Sequence, residues 1–102
     1  MQVVGKACGD TLYIFLSGEL DEYSAPAARA AADEAIERNI ACERVVFDLS
    51  GVKFMDSSGI GFLIGRYKKL RRCQTPAFIQ SPNFSADKVL SVSGIYTLIP
   101  KL

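Results

Sequence analysis

The strand-to-helix transition that decides the fold lies at residues 54–61, which read Phe54-Met55-Asp56-Ser57-Ser58-Gly59-Ile60-Gly61. Before it, residues 44–49 are almost continuously apolar, which predicts a central strand covered on both faces and ended by Ser50-Gly51. After it, apolar residues recur at the spacing of one helical stripe, at Ile60, Leu63, Ile64, Tyr67 and Leu70. We therefore predict that a helix begins at Asp56-Ser57-Ser58.

Two antiparallel strands and a helix are predicted upstream of this transition. The short apolar runs at residues 3–7 and 12–16 are separated by Gly9-Asp10, which supplies the turn chemistry of a hairpin. Further on, Ser24 and Pro26 follow the pattern of a capping hydroxyl and a proline in the first helical turn. An alanine-rich run comes next, so we expect the first helix to extend to about Asn39.

A strand, a third helix and a last strand are predicted downstream. Residues 76–80 read as a strand, and Ser81-Pro82 repeats the pattern of a capping hydroxyl before a helix-starting proline. Gly94 can close that helix, and residues 95–99 predict the last strand. The order β-β-α-β-α-β-α-β favours an α/β fold, in which helices pack against a mixed, mostly parallel sheet.

Composition limits the size of the fold and the classes of partner. A chain of 102 residues with 49% hydrophobic residues can form one packed domain, which we assign to residues 1–102. A net charge of +1 implies neither nucleic acid nor a membrane surface as a partner. No apolar run is long enough for export or membrane spanning, and the widely spaced Cys8, Cys42 and Cys73 are typical of reduced thiols. We therefore expect a cytoplasmic protein.

The absence of histidine argues against an enzyme. It removes the usual general base and the commonest metal ligand. The sequence also contains neither a Gly-x-Ser-x-Gly elbow nor a glycine-rich phosphate-binding motif. We expect no catalytic residue, no metal site and no cofactor, which leaves a binding module.

The start of the second helix has chemistry suited to a phosphate switch. Asp56 can cap the helix by accepting backbone N–H groups, and the helix N-terminus carries about half a positive elementary charge. A phosphoryl group on Ser57 or Ser58 would be tolerated there, and spacing alone does not separate the two serines. The alternative role of both serines is helix capping.

Three glycines in the same helix need an explanation. Gly59, Gly61 and Gly65 each cost about 1 kcal/mol relative to alanine inside a helix. Close approach of another protein surface would explain them, and so would tight packing of the helix on the sheet. The cations in residues 66–72 could attract an acidic partner, but cations at a helix C-terminus also complement its dipole, and we favour the interpretation as a solvated face.

These residues resemble a known family. Residues 54–61 are similar to the phosphorylation motif of bacterial anti-sigma factor antagonists, which are single STAS domains. Residues 16–21 resemble the second signature of this family, and Ser93-Gly94-Ile95 resembles its late turn. The continuation Gly65-Arg66-Tyr67-Lys68 is similar to the sporulation type.

The resemblance implies a partner switch. The unmodified protein would bind an anti-sigma factor that is also a serine kinase. The anti-sigma factor would then release its sigma factor. Phosphorylation of this chain would abolish its binding to the anti-sigma factor. By position in the motif the acceptor would be Ser57, with Ser58 as the alternative. ATP would be held by the kinase, and a PP2C-type phosphatase would remove the phosphate. The implied partner-binding residues are Asp21, Asp56, Ser57, Ser58, Gly59, Ile60 and Gly61.

Some alternatives remain open within this resemblance. Asp21 resembles the acidic loop residue that engages the kinase, but it also suits a turn before Ser24. The whole domain could instead be a non-phosphorylated STAS scaffold or docking subunit of a larger regulatory or lipid-transport complex. Family members commonly add a C-terminal helix over the sheet, and a surface left uncovered there would favour a weak homodimer.

Overall fold

The computed structural model describes all residues from 1 to 102. Four strands form one sheet in the order β1-β2-β3-β4, with β1 antiparallel to β2 and the other neighbours parallel. This arrangement confirms the predicted mixed, mostly parallel α/β fold. The strands are β1 Gln2–Cys8, β2 Thr11–Leu20, β3 Arg44–Met55 and β4 Ala77–Gln80, and the helices are α1 Ala25–Arg38, α2 Ser57–Arg72 and α3 Phe84–Ser93.

The core lies between the helices and one face of the sheet. Side chains alternate along a strand, so Leu12, Ile14 and Leu16 of β2 share one face. They form a single buried cluster with alternate residues of β3 and with the apolar stripes of the helices. The predicted hairpin is confirmed, with Gly9 in the left-handed region at φ 59° between β1 and β2. No helix has the length and apolar character needed to cross a membrane.

The prediction that Ser50-Gly51 ends the central strand is wrong. β3 continues to Met55 after two register shifts in which β3 carries extra residues relative to β2. A Cβ added to Gly51 would lie 2.6 Å from the Cβ of Ser17, so this glycine permits close approach of two strands. The extra length of β3 carries the chain to the start of α2.

Two predicted caps are also corrected. Ser24 occupies the N-cap position of α1, but its hydroxyl donates to Glu19 O (2.8 Å) and accepts from the amide of Asp21 (3.0 Å) instead of capping the helix. The third helix begins after Asn83, whose side chain accepts from the amide of Ala86 at 2.8 Å, so Ser81 is not its cap. The nearby loop competes for the Ser24 hydroxyl, and Pro82 precedes the helix. Gly94 closes α3 at φ 78°, as predicted.

The last predicted strand, residues 95–99, is wrong. Residues Ile95–Thr97 form a 3₁₀ helix, and the amide of Ile99 donates to Ile95 O at 2.8 Å. The turn buries Ile95 and Ile99 in the core, and because residues i and i+4 share a face in a strand as well as in a helix, their spacing alone does not distinguish the two structures. Strand pairing is limited to one bridge between Lys101 and Ile79 at the edge of β4.

Candidate functional site

The ends of β2 and β3 bring the two sequence signatures together. Leu20 pairs with Met55, and the amide of Asp56 donates to Leu20 O at 3.3 Å. The segments that follow the two strands therefore leave the sheet side by side. Asp21 and Asp56, which are 35 positions apart in the chain, become neighbours in space at this end of the sheet.

Asp21 lies in a tight turn. Its Oδ1 accepts from the amides of Tyr23 (3.0 Å) and Ser24 (2.9 Å). The hydrogen bond from the Ser24 amide, more than any other contact, holds the pKa of Asp21 below its usual value. The turn role expected as an alternative is therefore present, and it leaves a charged carboxylate at the surface whose Oδ2 makes no hydrogen bond within the chain.

Asp56 caps α2, as the sequence predicts. Its backbone is extended, and its Oδ1 accepts from the amide of Ser58 at 2.8 Å. Because the carboxylate performs the capping, neither serine hydroxyl is needed for it, and neither makes a hydrogen bond within the chain. The two serines differ in exposure: Ser57 is exposed and Ser58 is half-buried. The hydroxyl of Ser57 is therefore free and open to solvent.

The three glycines of α2 have different environments. A Cβ on Gly59 would lie 2.5 Å from Cγ of Met55 and 3.2 Å from Cδ2 of Leu20. This glycine allows the first turn of α2 to rest on the strand ends. A Cβ on Gly61 or Gly65 would meet nothing within 4 Å. Packing within the domain thus explains the glycine at position 59, but it does not explain those at positions 61 and 65.

A groove separates α2 from α3 beside the exposed serine. Its volume is about 450 Å³, and Ile60, Val89 and Val92 give it an apolar surface. Val92 is 83% exposed, so part of this surface is open to a partner. Lys88 is the one charged side chain in the lining, which comprises Ser57, Ile60, Ser85, Lys88, Val89, Val92 and Ser93.

Arg66 has a structural role, although the sequence pattern predicts that it belongs to a solvated face. It is buried, its Nε lies 2.8 Å from Oδ1 of Asp33 on α1, and its guanidinium stands 5.4 Å from the ring centroid of Phe62. Burial lowers the pKa of Arg66, and Asp33 opposes that change. Lys69 reaches Glu37 at 2.8 Å on the same side. These cations join α2 to α1, so the solvated-face interpretation is wrong for Arg66.

The predicted partner-binding residues occupy one end of the molecule. Asp21, Asp56 and the first two turns of α2 adjoin one another there, although Gly59 faces inward. No three His, Cys, Asp or Glu side chains come close enough to hold a metal ion. The site offers a free hydroxyl, a helix N-terminus and an apolar groove, which suit recognition by another protein.

Comparison with known proteins identifies similar chains. The model of the STAS domain family matches residues 4–102. The anti-sigma F factor antagonist of Paenibacillus polymyxa is 37% identical over 89 residues, covering 87% of this chain and 75% of that protein. The anti-sigma factor antagonist SpoIIAA in its unphosphorylated form superposes with a TM-score of 0.80 at 26% identity, covering 99% of this chain and 88% of that one. The Bacillus cell fate determinant SpoIIAA in the phosphorylated form gives a TM-score of 0.71 at 26% identity, covering 99% and 91%.

Proposed function

This chain belongs to the STAS domain family, and from that premise we propose that it is an anti-sigma factor antagonist switched by phosphorylation of Ser57. The unmodified form binds an anti-sigma factor that is also a serine kinase, and that factor then releases its sigma factor. Phosphorylation abolishes this binding, and a PP2C-type phosphatase restores it. The kinase holds the ATP, and this chain acts in the cytoplasm without catalysing a reaction.

The observation that carries the proposal is the exposed, unbonded hydroxyl of Ser57 at the first residue of α2. A kinase needs such a hydroxyl, and a phosphate placed there gains from the helix dipole. Asp56 already caps the helix through the Ser58 amide, so the fold does not depend on whether Ser57 is modified. Greater exposure favours Ser57 over Ser58 as the acceptor.

The face of α2 around Ser57 supports protein docking. Ser57, Gly61 and Gly65 follow one another at intervals of four residues and therefore lie along one side of the helix. The two glycines have open space where a Cβ would be, which lets another backbone approach closely. Ile60 lies beside this stripe on α2, and Asp21, whose Oδ2 makes no hydrogen bond within the chain, adjoins Asp56 at the start of the helix. Together they complete a surface for the anti-sigma factor.

The relatives support the two states of the proposed switch. The Paenibacillus relative is named as an anti-sigma F factor antagonist, which favours an anti-sigma factor of the sporulation type as the partner here. SpoIIAA has been solved in unphosphorylated and phosphorylated forms, and both share the fold of this chain. A phosphate is therefore compatible with this architecture, and its effect on binding would arise at the surface around Ser57.

Calorimetry with the anti-sigma factor tests the proposal. Ser57→Asp is expected to weaken binding by about 100-fold, because it puts a charge into an interface that excludes water. Ser57→Ala should bind like the parent and resist the kinase. Ser91→Asp adds the same charge at an exposed position of α3 outside the groove and serves as the matched control.

Three outcomes decide between the candidates. Equal affinity of Ser57→Asp and parent, with thermal unfolding unchanged, would contradict the switch. Phosphate mapped to Ser58 after incubation with the kinase and ATP would move the acceptor by one residue. Binding without any modification by the kinase would favour a non-phosphorylated STAS scaffold, which would use the same groove as a constitutive dock.

The proposed weak homodimer could use an exposed apolar surface on the sheet. On the sheet face opposite the core, Tyr13 and Phe15 stack with ring centroids 6.0 Å apart, and Val4 pairs with Phe15. Val4 is 48% exposed and Phe15 is 38% exposed. Weak self-association through this face would leave Ser57, whose helix packs on the core side of the sheet, free for the anti-sigma factor.

A further inference from the structure

We propose that Lys88 captures the phosphate of modified Ser57 and so closes the groove between α2 and α3. This inference rests on the proposed function, because it needs a phosphate on Ser57. It adds a second effect of modification to simple charge repulsion. The bound phosphate would cover the apolar surface that the unmodified protein offers to its partner.

The positions of the two residues carry the inference. Ser57 begins α2, Lys88 lies in the middle of α3, and both line the same groove of about 450 Å³. Lys88 is exposed and forms no ion pair. Its flexible four-carbon stem can move the ammonium group across the groove.

The acids near Lys88 are engaged elsewhere. Asp87 precedes it in the chain, but its Oδ1 accepts from Tyr96 Oη at 2.6 Å and from Lys101 Nζ at 2.9 Å. Asp56 is not among the residues that line the groove, and its Oδ1 accepts from the Ser58 amide. No carboxylate lines the groove, so a phosphate on Ser57 would be the first anion available to Lys88 there.

The groove also offers a second donor on α3. Ser85 lines it, and its hydroxyl makes no hydrogen bond within the chain, whereas the hydroxyl of Ser93 already donates to Leu90 O at 2.7 Å. Ser85 and Lys88 are three residues apart and so face the same side of α3. A phosphate has three strong acceptor oxygens, which suit one hydroxyl and one ammonium donor.

Closure of the groove follows from this contact. Ile60 and Val92 form the apolar surface between Ser57 and α3, and a phosphate bound to Lys88 would lie across it. Phosphate and its water shell exclude an apolar side chain of a partner from that space. The fold need not change, because the contact uses one free lysine and one free hydroxyl.

The phosphate's own titration provides the test. Phosphoserine is installed at position 57 of the full chain during translation, without any kinase, and ³¹P NMR follows its second ionisation, whose pKa is normally about 6. A lysine in contact favours the dianion, so Lys88→Met should raise the phosphate pKa by about half a unit relative to the parent. Asp56 raises this pKa in both proteins equally, so it does not affect the comparison.

Lys68→Met is the matched control. Lys68 is also exposed and lies on the same side of α2, but about 16 Å further along the helix axis from Ser57. Its replacement should leave the phosphate pKa unchanged, and 1 M salt should remove the difference between Lys88→Met and the parent. An identical phosphate pKa in Lys88→Met and parent at low salt would overturn the inference. Because no kinase is used, that result is distinct from a failure of a kinase to modify Ser57.

Discussion

Alanine at each glycine of α2 should separate the needs of folding from those of docking. Gly61→Ala and Gly65→Ala place a methyl group where nothing lies within 4 Å. Each should therefore stabilise the fold by about 1 kcal/mol through helix propensity. For a domain of this size that gain raises Tm by about 4 to 8 °C.

Gly59→Ala should act in the opposite direction. The added methyl would lie 2.5 Å from Cγ and 3.0 Å from Sδ of Met55, which is buried. Relieving this overlap moves α2 or Met55 and costs about 1 to 3 kcal/mol, which exceeds the propensity gain. We expect a net loss of about 1 kcal/mol in the free energy of unfolding.

Urea and thermal unfolding of the three variants measure these effects, and calorimetry with the anti-sigma factor measures docking. If a partner backbone lies against the stripe, Gly61→Ala should weaken binding by about tenfold while stabilising the free protein, because the methyl enters a close interface. Gly59→Ala should bind nearly as well as the parent once folded. Destabilisation by Gly61→Ala would refute the assignment of open space, and unchanged binding by both Gly61→Ala and Gly65→Ala would refute the docking role of the stripe.

Two further predictions concern the ion pair between the helices and the response to acid. Asp33→Ala should lower the free energy of unfolding in urea by about 2 kcal/mol, because it leaves the buried Arg66 unpaired. Arg66→Met should change the free energy of unfolding by less than about 1 kcal/mol. Equal losses in the two variants would contradict this prediction. Burial raises the pKa of Asp48, but hydrogen bonds from Ser50 and Gln80 outweigh this effect and leave the pKa below its usual value. The stability that the ionised carboxylate contributes at neutral pH should therefore be lost as the pH drops below about 4. Urea unfolding across that range should give a shallower slope for Asp48→Asn, and an unchanged slope would exclude Asp48 as a contributor.

The sequence predicts those features that depend only on residues close together in the chain. The cap at Asp56 needs only a carboxylate beside the first helical amides, and the Gly9-Asp10 turn needs only local chemistry. Hydrophobic period likewise predicts the alternation of strands and helices as far as α3. These features locate Ser57 at the start of a helix before any tertiary contact is known.

Errors arose where a distant residue decides the local structure. Gly51 looks like a strand end, but glycine is needed there because the Ser17 side chain on the adjacent strand leaves no room for a Cβ. Arg66 looks like one cation of a basic face, but Asp33 and Phe62 bury it. Residues 95–99 contain apolar side chains at a spacing that suits either a strand or a helical turn, and the core selects the turn. No local pattern contains these partners.

The arrangement of α2 explains how a switch can work without a change of fold. Its inward side is committed to the domain, through Gly59 against Met55 and through Arg66 with Asp33. Its outward side carries Ser57, Gly61 and Gly65, none of which the domain needs for packing. A phosphate on the outward side therefore changes the stability of the folded state little. It instead weakens the binding of any protein that would otherwise occupy that face.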